Sequence, residues 1–126
     1  MISWLTLTNE DAPIQVADAT IRIDRSKTEP AVIVNGRVTV DSAPRLRSLL
    51  FGLIEKKSAR VLVMDLSGVS HIDISGLATL LEVLICAYEH SMRLRLVGIN
   101  GQPRKVAELA QMDQIFLTLK SEVEFS

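Results

Sequence analysis

The chain has 126 residues, of which 48 % are hydrophobic and 23 % are charged, and its formal net charge is −1. This length fits one domain with a single substantial core. The hydrophobic content excludes a disordered chain, and the balanced charge with only 4 % aromatic residues disfavours binding to nucleic acids.

Cysteine content and the first residues bear on the cellular compartment. A single cysteine, Cys86, excludes an internal disulfide and fits a reducing environment. The opening MISWLTLTNEDAP lacks the basic region and the long apolar core of a signal peptide. No run approaches the roughly 18 apolar residues that a membrane span requires. We therefore expect a cytoplasmic protein without membrane insertion.

The first half of the chain predicts two strands and a helix. Residues 19–25 alternate between apolar and polar, as in a half-buried strand. The β-branched run 31–36 ends on Asn-Gly and predicts a second strand, antiparallel to the first. A helix is predicted over 42–56, with Ser42 suited to the N-cap and Pro44 to the first turn. Its apolar stripe consists of Leu46, Leu49, Leu50, Leu53 and Ile54.

The centre of the chain predicts a buried strand followed by a second helix. Residues 59–66 contain the continuous apolar run Val61–Met64, which is typical of a parallel strand covered on both faces, and Asp65 suits a carboxylate that stabilises the following turn. The helix is predicted over 75–90, where Cys86 is interpreted as a packing residue. Its inward stripe is expected to consist of Leu77, Leu80, Leu81, Leu84, Ile85 and Tyr88.

The remaining residues complete an alternating pattern. Residues 92–99 predict a strand, and 103–110 a short helix with Val106, Leu109 and Ala110 facing inward. Residues 115–119 predict a last short strand, and 120–126 a frayed tail or helical turn. The order β-β-α-β-α-β-α-β predicts one α/β domain with a mixed, mostly parallel sheet of four to five strands. We expect this domain over 19–126, after an N-terminal extension at 1–18.

Patterns typical of catalysis are weak. No glycine-rich phosphate loop is present, and two histidines with one cysteine offer no obvious zinc site. His71, Asp73 and Ser75 have the residue types of a hydrolase triad, but triad members normally converge from separate elements. We therefore expect no enzyme activity, no catalytic residue and no metal, and we interpret His71 as a turn residue.

The segment DISG, residues 73–76, lies at the start of the second predicted helix. Asp73 or Ser75 caps that helix in the simplest interpretation, and its free N–H groups also suit an anion. Between these two polar residues the chain carries the bulky, apolar Ile74.

With these segments in view, residues 19–125 resemble the STAS domain of bacterial anti-sigma factor antagonists. The segment VNGRVTVDSAPRLRSLL is similar to the family's Gly-x-[Leu/Ile/Val]-Asp segment and first helix. The segment VLVMDLSGVSHIDISGLATLLE is similar to a stretch whose core reads Asp-[Ser/Thr]-[Ser/Thr]-Gly-[Leu/Ile]. The segment LRLVGINGQPRKVAELAQMDQIF is similar to the strand, turn and short helix that follow.

The resemblance implies partner-switching regulation of transcription by a protein that needs no cofactor, because its kinase partner supplies the nucleotide. In this family the unphosphorylated antagonist binds an anti-sigma factor that is also a serine kinase, and phosphorylation ends the binding. The family's phosphoacceptor follows the motif aspartate, and here that position is Ile74, which has no hydroxyl. Either Ser75 receives the phosphate, or the switch is lost. We favour loss, because Ser75 is expected to cap the helix with its hydroxyl turned inward, leaving Ile74 as an apolar contact for a partner.

The expected partner surface combines the turn with the polar side of the helix. It consists of Asp73, Ile74, Ser75, Gly76, Thr79 and Glu82. A rival interpretation is a STAS scaffold or accessory subunit of a stress-signalling complex or of a lipid-transport ABC system. Neither interpretation specifies an oligomeric state.

Overall fold

The computed structural model describes residues 12–57 and 59–125. In this part of the chain the strands are β1 (Ile14–Val16), β2 (Ala19–Asp24), β3 (Ala31–Val38), β4 (Val61–Ile72), β5 (Arg93–Ile99) and β6 (Glu122–Phe125). The helices are α1 (Ala43–Glu55), α2 (Ile74–Glu89), α3 (Gly101–Leu109) and α4 (Met112–Thr118).

The strands form one mixed sheet in chain order, β1-β2-β3-β4-β5-β6. The pairs β1–β2 and β2–β3 are antiparallel, and each later pair is parallel. The three parallel connections, β3 to β4, β4 to β5 and β5 to β6, each lead to the next strand on the same side. Right-handed crossovers in one direction place all the connecting helices on one face of the sheet. The α/β prediction is confirmed, with six strands instead of four to five. One additional strand, β1, lies within the predicted N-terminal extension.

The core lies between this helical layer and the sheet. In β4, Leu62, Met64 and Leu66 are fully buried against the helices, whereas Val61 and Val63 on the opposite face are only half-buried. The strand is central and parallel to both neighbours, as predicted. The prediction that both of its faces are buried is wrong, because the crossover helices share one side.

The C-terminal predictions need correction. Residues 115–119 were predicted as a strand, but they fall largely in α4, which buries Met112 and Phe116 one helical turn apart. The predicted tail instead contains β6, whose Val123 and Phe125 pack against the core. Strand β6 is therefore the parallel edge strand of the sheet, beside β5.

Helix α1 follows the predicted pattern closely. Leu46, Leu50, Leu53 and Ile54 are buried, as expected from their spacing. Ser42 occupies the predicted N-cap position, but its hydroxyl makes no bond to the helix. It donates to the Arg37 carbonyl at 2.8 Å and accepts from the Thr39 N–H at 3.0 Å, which closes the turn after β3.

The inward faces of α2 and α3 differ partly from the prediction. Leu80 and Leu84 are buried, but Ile85 and Tyr88 are exposed, and so is Leu109 on α3. Their places in the core are taken by smaller side chains, Val83, Ala87 and Ala107. Small residues let the helices approach the sheet closely, so the large residues beside them remain outside.

Three single-residue predictions have clear outcomes. Cys86 is buried, and burial raises the pKa of its thiol, which is consistent with packing. Asp65 accepts from the Ser67 N–H at 2.9 Å, so it bonds to nearby backbone as predicted, but within β4 and not in a turn. The prediction of His71 as a turn residue is wrong, because it lies in β4, in register with Arg37.

Candidate partner-binding site

Asp73 organises the start of α2. Its Oδ1 accepts from the Gly76 N–H at 2.9 Å, and its Oδ2 accepts from the Val40 N–H at 3.0 Å. These bonds, chiefly the one from Gly76, lower the pKa of the Asp73 carboxyl below its usual range. The cap is therefore Asp73, and the expectation that Ser75 caps the helix is wrong.

Gly76 allows α2 to begin directly against the sheet. A Cβ atom at this position would lie 2.5 Å from the Val38 carbonyl oxygen and 2.9 Å from Cγ2 of Ile72. Real Cβ atoms do not approach backbone oxygens this closely, so any larger residue would push the helix outward. The glycine of the motif is thus required by packing.

Gln102 fixes the end of β4 just before the motif. Its Oε1 accepts from the Ile72 N–H at 2.8 Å, and its Nε2 donates to the Ile72 carbonyl at 2.9 Å. The Gln102 amide thereby makes the two backbone hydrogen bonds that a strand next to Ile72 would otherwise make. Gln102 lies in the first turn of α3, 30 residues further along the chain, so no local pattern in the sequence indicates this role.

A shallow groove of about 370 Å³ runs between α1 and α2 beside the turn. Across it, Arg47 Nε donates to Glu82 Oε2 at 2.8 Å, and the Arg47 guanidinium also lies 4.3 Å from the centre of the Phe51 ring. Sequence reasoning missed Arg47, because its partner is on another helix. The groove is lined by Val40, Ala43, Pro44, Arg47, Ser48, Ser75, Ala78, Thr79 and Glu82.

The predicted partner residues occupy different environments. Ile74 is 82 % exposed, and Val40, which the prediction omitted, is 63 % exposed. Glu82 is also exposed, and Ser75 is half-buried at the edge of the groove. The expectation that Thr79 is exposed is wrong, because only 4 % of it is accessible. Ile74 and Val40 are thus the protruding apolar groups of this surface.

The described residues hold neither a metal-binding cluster nor a membrane-spanning helix. Within residues 12–57 and 59–125, no group of three or more His, Cys, Asp or Glu side chains is placed to hold a metal ion. The helices in the described part of the chain include none that is both long enough and apolar enough to cross a membrane.

The fold and the site define a small α/β domain with one exposed turn beside an interhelical groove. The chain belongs to the STAS domain family, whose model matches residues 21–125.

Solved structures with the same fold include an anti-sigma factor antagonist from Mycobacterium paratuberculosis. It is 22 % identical, with a TM-score of 0.64 over 82 % of this chain and 87 % of that one. The anti-sigma factor antagonist SpoIIAA in its unphosphorylated form is 16 % identical, with a TM-score of 0.56 over 75 % and 96 %. The murine anion transporter Solute Carrier 26 family member A9 is 16 % identical, with a TM-score of 0.62 over 97 % of this chain and 22 % of that one.

Proposed function

We propose that this chain is a regulatory protein of the anti-sigma factor antagonist type. It binds a kinase-type anti-sigma factor through the turn at 73–76 and the α1–α2 groove, and it does not act as an enzyme. Membership of the STAS family and the shared fold with anti-sigma factor antagonists support this proposal. The observation that carries it is Ile74, a large apolar side chain that is 82 % exposed on a turn held by several hydrogen bonds.

The surface around Ile74 has the composition of a protein-binding site. Ile74 and Val40 protrude from neighbouring turns, and the Arg47–Glu82 pair provides polar groups beside them. An apolar anchor surrounded by polar groups is typical of the residues that dominate binding energy at interfaces. Burying the Ile74 side chain against a partner would contribute about 1.5–3 kcal/mol to the free energy of binding.

We further propose that binding proceeds without a phosphorylation switch. Position 74 offers no hydroxyl, so Ser75 would have to accept the phosphate. Asp73, not Ser75, caps the helix. Ser75 lies in the first turn of α2, where its side chain is half-buried at the groove. A kinase requires an acceptor that it can surround, which a half-buried helical serine does not offer.

Affinity capture from the source cell tests the proposal. Tagged wild-type protein should enrich a protein with a serine-kinase domain, identified by quantitative mass spectrometry. Ile74→Glu should reduce that enrichment by about tenfold or more, because it places a charge in an apolar contact. Leu109→Glu is the matched control, since Leu109 is 87 % exposed on α3, outside the site.

The outcomes separate the candidate functions. Retention of the kinase by Ile74→Glu, or equal loss with Leu109→Glu, would contradict binding through this turn. Capture of an ABC ATPase in place of a kinase would contradict the antagonist function and support the accessory-subunit alternative.

A further inference from the structure

A second concave surface lies at the opposite end of the sheet from Asp73. It is a cleft of about 850 Å³ where α2 leads into β5 and α4 leads into β6. Asp73 follows the C-terminal end of β4, whereas the cleft adjoins the N-terminal ends of the parallel strands. The cleft is therefore separate from the proposed partner surface and is not used by it.

The walls of this cleft are largely apolar. Tyr88 and Leu117 are exposed on its sides, Leu119 is half-buried, and Met92 is buried beneath them. Pockets for small ligands usually have volumes of about 300–1,000 Å³ and mostly apolar linings with a few polar groups. The size and lining of this cleft match that class.

Two neighbouring cations line the same cleft. Arg93 Nε donates to the Lys120 carbonyl at 3.1 Å, which holds the guanidinium beside Lys120. No ion pair within the described residues involves either side chain. Arg95, two residues further along β5, contrasts with them, because it pairs with Glu29, Glu122 and Glu124.

Local structure explains only one of these cations. Lys120 follows the C-terminus of α4, where the helix dipole favours a positive charge. Arg93 begins a strand, so the dipole does not account for it. Glu89 is an acidic residue that also lines the cleft, and it reduces the positive charge there.

We propose that this cleft binds a single-chain amphiphilic anion, such as a long-chain fatty acid. The anionic head pairs with Arg93 and Lys120, and the alkyl chain lies along Tyr88, Met92 and Leu117. A protein partner is disfavoured by size, because stable interfaces involve about 20–30 residues and about 800 Å² on each side. A concave cleft also suits one chain better than the flat surface of a bilayer.

Titration with laurate below its critical micelle concentration tests this proposal on the whole chain. Saturable shifts of the amide resonances of Tyr88, Ser91 and Leu117 are expected, and butyrate, with the same head but a short chain, should not produce them. Arg93→Gln/Lys120→Gln should weaken laurate binding about tenfold, since two partly exposed ion pairs are lost. Glu89→Gln should strengthen binding by removing a like charge.

Matched variants separate the cleft from general charge effects. Arg45→Gln/Lys105→Gln removes the same charge from exposed positions on α1 and α3, and it should bind laurate like the wild type. Leu117→Ser, an exposed change that preserves all charges, should weaken laurate binding. Melting temperatures of all variants report whether each remains folded.

Several results would overturn the proposal. These are no saturable laurate binding by the wild type, equal weakening in the Arg45/Lys105 control, or full binding by Leu117→Ser. Binding to phosphatidylglycerol vesicles but not to monomeric laurate would also overturn it, in favour of a membrane surface. None of these results bears on the function proposed for the Asp73 turn.

Discussion

Asp73 and Val40, which are 33 residues apart in the chain, are joined by a hydrogen bond of 3.0 Å from the Val40 N–H to Oδ2 of Asp73. This bond connects the turn after β3 to the start of α2, and it brings together the two turns that expose Val40 and Ile74. The motif aspartate therefore has a structural role that requires no phosphate.

Removing the Asp73 carboxylate should loosen both turns. Asp73→Ala loses the cap on Gly76 and the bond to Val40, so we expect the melting temperature to fall by about 5 °C. Asp73→Asn retains an acceptor oxygen for the cap and should cost less. Calorimetry measures both variants, and an unchanged melting temperature for Asp73→Ala would contradict the role of this link.

Acid should destabilise the wild type more than the Asp73→Asn variant. The pKa of Asp73 is lowered in the folded protein from its ordinary value of 3.8. A carboxyl group of this kind stabilises the fold above its unfolded pKa, and the contribution is lost as the pH falls through the folded pKa. Melting temperatures of the two proteins should therefore converge as the pH falls below about 4. A constant difference across this range would contradict the prediction.

Gly76→Ala should be strongly destabilising. Its new Cβ would meet the Val38 carbonyl and Ile72, and such overpacking costs about 1–3 kcal/mol in the free energy of unfolding. Gly52→Ala is the matched control, because nothing lies within 4 Å of its added Cβ in α1. That change should stabilise by about 0.5–1 kcal/mol through helix propensity. Urea denaturation distinguishes them, and equal effects would refute the packing requirement.

Substitutions in the groove should separate binding from stability. Arg47 and Glu82 are 43 % and 47 % exposed, so losing their ion pair should change the free energy of unfolding by no more than about 1 kcal/mol. Ala78→Arg/Glu82→Arg should nevertheless weaken binding of the anti-sigma factor, measured by titration calorimetry. Full affinity would remove the groove from the partner surface. Thr79→Arg is unsuitable for this test, because it would bury a charge.

The switch can be tested by restoring a hydroxyl at the family's acceptor position. Incubated with the partner kinase and ATP, the wild type should gain no phosphate, and its complex should persist. Ile74→Ser should become a substrate and should bind more weakly even before phosphorylation, because an apolar contact is lost. Intact-mass spectrometry measures both. A phosphate on the wild type, mapped to Ser75, would show that the acceptor has moved by one residue.

Features that depend on residues close together in the chain could be predicted from the sequence. The stripe of α1, the antiparallel pairing of the strands at 19–25 and 31–36, and the bond from Ser67 to Asp65 all follow from local spacing. Residues 115–119 could not be assigned from the sequence in this way. Four of these five residues are apolar, which suits a strand or a buried helix, and packing of Met112 and Phe116 against the core selects the helix.

The sequence by itself determined the α/β class, the position of the DISG motif at the start of a helix, and the absence of a hydroxyl at position 74. Only the tertiary structure decided that Asp73 bonds to Val40, that Thr79 is buried, and that Gln102 holds Ile72. The physical reason is distance along the chain. Hydrogen bonds and burial at this site depend on groups about 30 residues away, whose approach is set by the packing of the helices on the sheet.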